Sequence, residues 1–146
     1  MNSSPNVIPT VAVLIIKDKK VLLVKHEEDA GHEPGTYGLP SGTLEEKEEE
    51  KAAAVRELKE ETGFIKDEKD LLEFPENFYK ADVKRKDGTV KKFSMKVFLS
   101  KDFEGELVSS PESTPEWIRI EDLDKYNLLP NVKNAIHAGL KNPRNL

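Results

Sequence analysis

Glu57, Glu60 and Glu61 stand three and four residues apart in a run of good helix formers. At about 100° per residue an α-helix gathers them into one sector of its surface. Carboxylates at that spacing repel one another. A hard divalent cation relieves the repulsion, and Mg²⁺ takes one or two carboxylates while keeping positions for phosphate oxygens. The chemistry open to the trio is therefore capture of a divalent ion and, with it, a phosphorylated molecule. The ordinary alternative is a solvated acidic face, and Glu45, Glu46, Glu49 and Glu50 show that the neighbourhood is acidic throughout.

The wider spacing separates these readings. Gly42 is followed by five residues and Glu48, then seven residues and Arg56-Glu57-Leu58-Lys59-Glu60-Glu61-Thr62-Gly63-Phe64. Gly42 permits the close approach and unusual backbone angles of a loop entering a helix. Gly63 stands where a helix ends in a left-handed residue, and Phe64 is then placed to pack on the core. Arg56, four residues before Glu60 and eight after Glu48, can pair with either and hold the carboxylates in place. The helix is predicted over residues 45–62, with Val55, Leu58 and Thr62 on its core face and Ala52 at the edge.

Other elements must position this helix. The β-branched run Val7 to Ile16 and the apolar run Val21 to Val24 flank Lys17-Asp18-Lys19-Lys20 and read as a hairpin. Residues 26–36 read as a loop, and Tyr37 to Pro40 as a short strand leading to Gly42. Phe78 to Val83 and Phe93 to Leu99 alternate on either side of Lys86-Asp87-Gly88, which reads as a second hairpin. A loop over 101–115 carries a candidate strand at Glu106 to Val108. A last strand spans Glu116 to Ile120, and a short helix starts at Glu121. Pro130-Asn131 is expected to cap a final helix on which Val132, Ile136 and Leu140 share a face. Strands on both sides of one helix, with a helix at the end, suggest a mixed sheet covered on both faces.

The chain has 146 residues, and the whole length, 1–146, is expected to form one domain. Charged residues make up 35% and apolar residues 36%, so a globular rather than disordered chain is expected. Net charge is −5, which argues against binding a nucleic-acid backbone. With no cysteine there is no disulfide framework and no thiol nucleophile. Met1 to Pro5 lacks the charged and apolar regions of a signal peptide, and the longest apolar runs are far too short to span a membrane. A cytoplasmic location is the default, as monomer or homodimer.

The pattern from Gly42 to Phe64 resembles the signature of the Nudix hydrolases, with every specified position filled. The resemblance extends along the chain through Val21 to Lys25, Tyr37 to Gly42, Glu116-Trp117 and Leu129-Pro130-Asn131. It implies an α/β/α sandwich with a mixed sheet. It also implies hydrolysis of a nucleoside diphosphate linked to another group, with Mg²⁺ or Mn²⁺. A nucleoside triphosphate, oxidised purines included, is the expected substrate, ahead of ADP-ribose. Carried over residue by residue, Glu57, Glu60 and Glu61 look like the metal ligands, with Glu57 the first choice as general base. The backbone carbonyl of Ser41 is similar in position to a ligand in relatives. Many relatives have glycine there, so serine would be costly if the position required a positive φ.

Some relatives take a further base from the loop before the last strand, which makes Glu112, and after it Glu116, candidates. Lys25 and His26 follow the second strand, where relatives place a phosphate-binding Arg. Asn131 lies near a base-reading Asn of oxidised-purine hydrolases. His32 reads as solvated, while Tyr37, Phe78, Tyr79 and Phe93 read as core aromatics that could stack on a base. The basic hairpin tip from Lys84 to Lys92 could clamp a phosphate or blunt a sheet edge. A nucleotide-sensing domain without catalysis is the alternative from another class. It fits less well, because sensors of this kind lose signature carboxylates. An isoprenoid isomerase on the same fold needs a reactive Cys that is absent.

Overall fold

The computed structural model describes residues 7–28, 30–100 and 102–141. Met1 to Pro5, read above for a leader, lies outside them. Seven strands form one mixed sheet: β1 (Val7–Lys17), β2 (Lys20–His26), β3 (Tyr37–Gly38), β4 (Ser41–Thr43), β5 (Phe78–Lys84), β6 (Val90–Ser100) and β7 (Ser113–Arg119). The main path runs β3-β2-β1-β6-β5, with β4 added on β1 and β7 on β2. β1 and β6 are parallel, in register from Val7↔Lys92 to Ile15↔Ser100, and the other pairings are antiparallel.

β1 shows why the sheet is covered twice. Successive side chains of a strand point to opposite faces. Val11, Val13 and Ile15 pack with Ala53, Ala54 and Leu58 of helix α1 (Glu50–Thr62). Ala12 and Leu14 pack with Val132, Ala135 and Ile136 of helix α2 (Val132–Leu140). The near-continuous apolar sequence of β1 is thus the signature of a strand buried on both faces. The result is the expected α/β/α sandwich.

β1 and β2 pair only beside their turn, at Ile16↔Val21 and Lys17↔Lys20, where Asp18 and Lys19 take positive φ as the tight hairpin requires. Beyond that point they diverge. The chain from Tyr37 to Thr43 fills the gap, with β3 on β2 and β4 on β1. This wedge carries Ser41 and Gly42 beneath α1.

Several expectations are corrected here. Helix α1 starts at Glu50 rather than near 45, because Leu44 N donates to Pro9 O and Lys47 takes φ 65. The segment before the helix is a turn closed by Glu48 N to Glu45 O. The buried stripe of α1 is Ala53, Ala54, Leu58 and Thr62, while Val55 is only partly buried. Gly42 has no positive φ, so its role is not an unusual backbone angle. No strand forms at Glu106 to Val108, and β7 begins three residues earlier than expected. A 3-10 turn occupies Ile120–Lys125 in place of a helix from Glu121. Gly63 does end α1 in the left-handed region, at φ 87. Among the described residues no helix is long and apolar enough to cross a membrane.

Candidate functional site

A cavity of about 320 Å³ opens between the β4 wedge, the C-terminal half of α1, the β5–β6 hairpin and the start of α2. Its acidic wall comes from α1. Residues 53, 57 and 61 form one i,i+4 row, adjacent to the buried row 54, 58 and 62. Glu57 and Glu61 therefore sit at the edge of the packed face and not on the opposite, solvated one. Small Ala53 and Ala54 are fully buried beside them.

Two contacts with β4 fix these carboxylates. Ser41 N donates to Glu61 Oε1 at 2.8 Å. Glu57 occupies the space that a side chain at residue 42 would fill. A Cβ on Gly42 would lie 2.0 Å from Glu57 Cδ and 2.1 and 2.3 Å from its two oxygens. Glycine is needed at 42 for close approach. Ser41 has no positive φ, so serine carries no backbone cost there.

Arg56 organises the other side. Its Nε and Nη2 donate to the two oxygens of Glu48 at 2.8 and 2.9 Å, a bidentate pair. Nη1 donates to Glu57 Oε1 at 2.7 Å and more weakly to Glu60. The Arg56 pKa is raised, chiefly by its hydrogen bond to Glu48. Glu48 is lowered, first by the Arg56 hydrogen bond and then by the Glu45 backbone.

Burial pushes Glu61 up to about 8, the Ser41 hydrogen bond opposing and the charges of Glu57 and Glu112 adding to it. Glu57 is raised by burial as well, with Arg56 opposing. Two partly buried carboxylates, of which Arg56 compensates only Glu57, suit a hard divalent cation, which favours their ionised forms. Each has one oxygen engaged, Glu57 Oε1 by Arg56 and Glu61 Oε1 by Ser41 N, which leaves Oε2 of each for such an ion.

The predicted trio is only partly assembled. Glu60 is half-exposed, faces Arg56 and does not line the cavity. Among the described residues no three acidic or imidazole groups converge as a ready cation cage. Three unneutralised carboxylates repel, and Arg56 offers Glu60 a partner outside. Glu112 does line the cavity, on a turn held by Ser110 Oγ, and it bears on Glu61. Glu116 does not, and accepts a hydrogen bond from Tyr37 OH at 3.0 Å instead.

Of the predicted substrate contacts, His26 and Asn131 line the cavity and Lys25 does not. Asn131 sits at the N-cap position of α2 with φ 68, yet its side chain makes no cap. Its Nδ2 donates to Lys80 O at 3.1 Å and its Oδ1 accepts from Asn134, so both ends of the amide are engaged by the protein. Tyr79 and Phe93 line the cavity, whereas Phe78 is exposed and Tyr37 lies elsewhere.

His32 is partly buried rather than fully solvated. Its ring lies 4.6 Å from that of His26 and 5.9 Å from Phe93. Arg85 stands 5.6 Å over the Phe93 ring and reaches His32. Both histidines are lowered to about 4, by burial first, with the Arg85 charge contributing to each. This cluster escaped the sequence reading because residues 32 and 85 are joined by a single β-bridge. The sequence signals were His26, Phe93 and the basic 84–92 tip, taken separately.

Comparisons with known proteins agree with this fold. A model of the NUDIX domain matches residues 7–138. The chain is 46% identical over 66 residues to an ADP-ribose pyrophosphatase of Methanocaldococcus jannaschii, covering 44% of this chain and 38% of that one. It is 36% identical over 64 residues to Nudix hydrolase 25 of Arabidopsis thaliana, covering 44% and 35%. These matches span well under half the length of those relatives. The crystal structure of a MutT NUDIX hydrolase from Burkholderia pseudomallei superposes with a TM-score of 0.72 at 23% identity, covering 90% of this chain and 97% of that one.

Proposed function

This chain belongs to the NUDIX domain family, and on that premise we propose that it is a divalent-metal-dependent pyrophosphohydrolase of small nucleotides. The observation that carries the reading is the slot above Gly42. A side chain is missing there where a carboxylate enters, and a second carboxylate lies one helical turn on. A surface Glu needs no such accommodation.

Glu57 and Glu61, with the Ser41 carbonyl, would hold the ion, and Glu60 would join by leaving Arg56. Mg²⁺ or Mn²⁺ would neutralise the diphosphate and lower the pKa of the attacking water. The protein's own part is positioning and proton transfer. Arg56 anchors Glu57 through Oε1 and links it to Glu48, so the carboxylate is aimed and not free to rotate. Glu57 is the first candidate to take the proton of water; since Arg56 holds Oε1, it would do so with Oε2 in place of ligating the ion, which Glu61 and the Ser41 carbonyl would then keep. Glu112, on the cavity rim and not embedded in the acidic wall, is the second. Tyr79, Ala81, Met95 and Leu129 offer an apolar wall for a nucleoside.

A nucleoside triphosphate is kept as the first reading for the substrate, as the sequence resemblance implies. ADP-ribose is the second reading, favoured by the name of the archaeal relative. Lys25, His26 and Asn131 are the expected substrate contacts; His26 and Asn131 line the cavity, and the Asn131 amide is already engaged by Lys80 and Asn134.

The test is product release from a panel of nucleoside triphosphates, oxidised purines and ADP-ribose with Mg²⁺ or Mn²⁺. Glu57→Gln should cut the rate by about 10²-fold or more and leave the melting temperature nearly unchanged. Absence of turnover on every substrate refutes the enzyme, and tight nucleotide binding without release would mark a sensor instead.

A further inference from the structure

Arg85 is the one cation on the wall of the cavity among the described residues, and among them no carboxylate forms an ion pair with it, the charge of Asp87 acting on it only from a distance. A partly buried guanidinium whose charge Asp87 feels without pairing with it is an unusual choice for a purely structural group. Its surroundings support it without pairing its charge directly. Gly31 makes room for it, since a Cβ there would lie 1.8 Å from Nη2. Phe93 supports its face and His32 contacts its edge. The imidazoles of His26 and His32 are uncharged at neutral pH, so they contribute no anion.

Arg85 also forms part of a neighbouring recess of about 400 Å³ lined by Gly31, Lys86, Asp87 and Lys91. Asp87 is turned to Thr89, whose backbone N–H and hydroxyl both donate to it. Lys86 Nζ is bound to the Glu28 carbonyl, which leaves its charge uncompensated. The cavity therefore has an acidic wall at Glu57 and Glu61 and a separate cationic end that continues outward.

We propose that Arg85 is a specificity-determining residue that receives a phosphate of the substrate at the end of the cavity away from Glu57 and Glu61. A guanidinium held in a fixed orientation matches a phosphate through paired N–H donors. The consequence is selection for substrates carrying an anionic group beyond the diphosphate at the acidic wall. A nucleoside triphosphate meets this requirement, and ADP-ribose, ending in a neutral sugar, does not. The substrate assignment rests on the pyrophosphohydrolase reading, but the anion site does not.

The experiment therefore has two arms. In the first, metal-free protein is titrated with inorganic tripolyphosphate by calorimetry, with the ring signals of His26 and His32 followed by NMR. Binding with shifts at both rings is expected, and Arg85→Gln should weaken it by about tenfold or more. In the second, kcat/KM is compared for a nucleoside triphosphate and ADP-ribose with Mg²⁺. Arg85→Gln should lower the triphosphate-to-ADP-ribose ratio by about tenfold. Arg85→Lys keeps the charge without the fork and should fall between. It carries both arms if the Gln variant melts early. Unchanged tripolyphosphate binding, or equal loss on both substrates, overturns the proposal. The second result would point to a base contact or a packing role. If wild-type protein turns over no nucleotide yet binds tripolyphosphate through Arg85, the enzyme reading fails and the anion site stands.

Discussion

Gly42→Ala tests the slot directly. The new Cβ would lie 2.0 Å from Glu57 Cδ, where ordinary contact begins at 3.4 Å, so the carboxylate must retreat by roughly 1 Å or more. The obstructing atoms are the end of a flexible side chain and not backbone, so the fold should yield there cheaply. The Arg56–Glu57 ion pair would be weakened, at a cost of about 1 kcal/mol or less for a partly exposed pair. Replacing glycine by alanine within β4 returns about 0.5–1 kcal/mol. The two nearly cancel, and the melting temperature should move by no more than a few degrees. Activity should not survive so well, because a misplacement of about 1 Å at a reacting centre costs on the order of 10²-fold. Rates would be measured by chromatography of the nucleotide product from the best substrate, beside thermal melts. If Gly42 acts only through Glu57, the double variant with Glu57→Gln should be no slower than Glu57→Gln alone. Activity within about threefold of wild type, or a loss that merely follows unfolding, would refute the reasoning.

Arg56→Ala should cost about 1–3 kcal/mol, since it breaks a bidentate bond to Glu48 and frees Glu57 and Glu60. Calorimetric Mg²⁺ titration should then show weaker binding than in wild type, and unchanged binding would deny Arg56 its positioning role. His26 and His32 are lowered from 6.5 to about 4, so between these values the unfolded chain binds more protons than the folded one. Their contribution to stability is present above pH 6.5 and is lost as pH falls toward 4. Urea melts of His32→Gln should show a shallower dependence across that window. Glu61, raised from 4.5 to about 8, has the opposite sign: its contribution is present below pH 4.5 and is lost as pH rises through about 8. In metal-free protein, Glu61→Gln should flatten that decline. Asn131→Ala should destabilise by about 1–2 kcal/mol, losing the bond to Lys80 O and placing alanine at φ 68. Asn131→Gly should recover the backbone share in chemical denaturation, and an Ala variant as stable as wild type would contradict this account.

The legible parts of the fold are those set by local rules. The β1–β2 turn, the β5–β6 hairpin and the end of α1 at Gly63 each depend on residues within a few positions of one another. The start of α1 depends on a distant partner, since Pro9 O takes the N–H of Leu44 and holds the acidic segment out of the helix. Propensity favours helix for Glu45 to Glu49, and a strand 35 residues away decides otherwise. The candidate site divides in the same way. Offsets of three and four fix the angular sector of Glu57, Glu60 and Glu61, but not which of them are covered. Docking of β4 makes that choice, by giving Glu61 a backbone donor and Glu57 a glycine to lie on. Arg56 then retains Glu60 outside. The signature spacing therefore specifies a reserve of carboxylates, and the fold sets two of them in the cavity and a third outside it on Arg56. If the site takes the divalent ion proposed above, it should bind it most tightly when a phosphorylated ligand brings the remaining oxygens, because two carboxylates alone leave most of a hard ion's coordination to water.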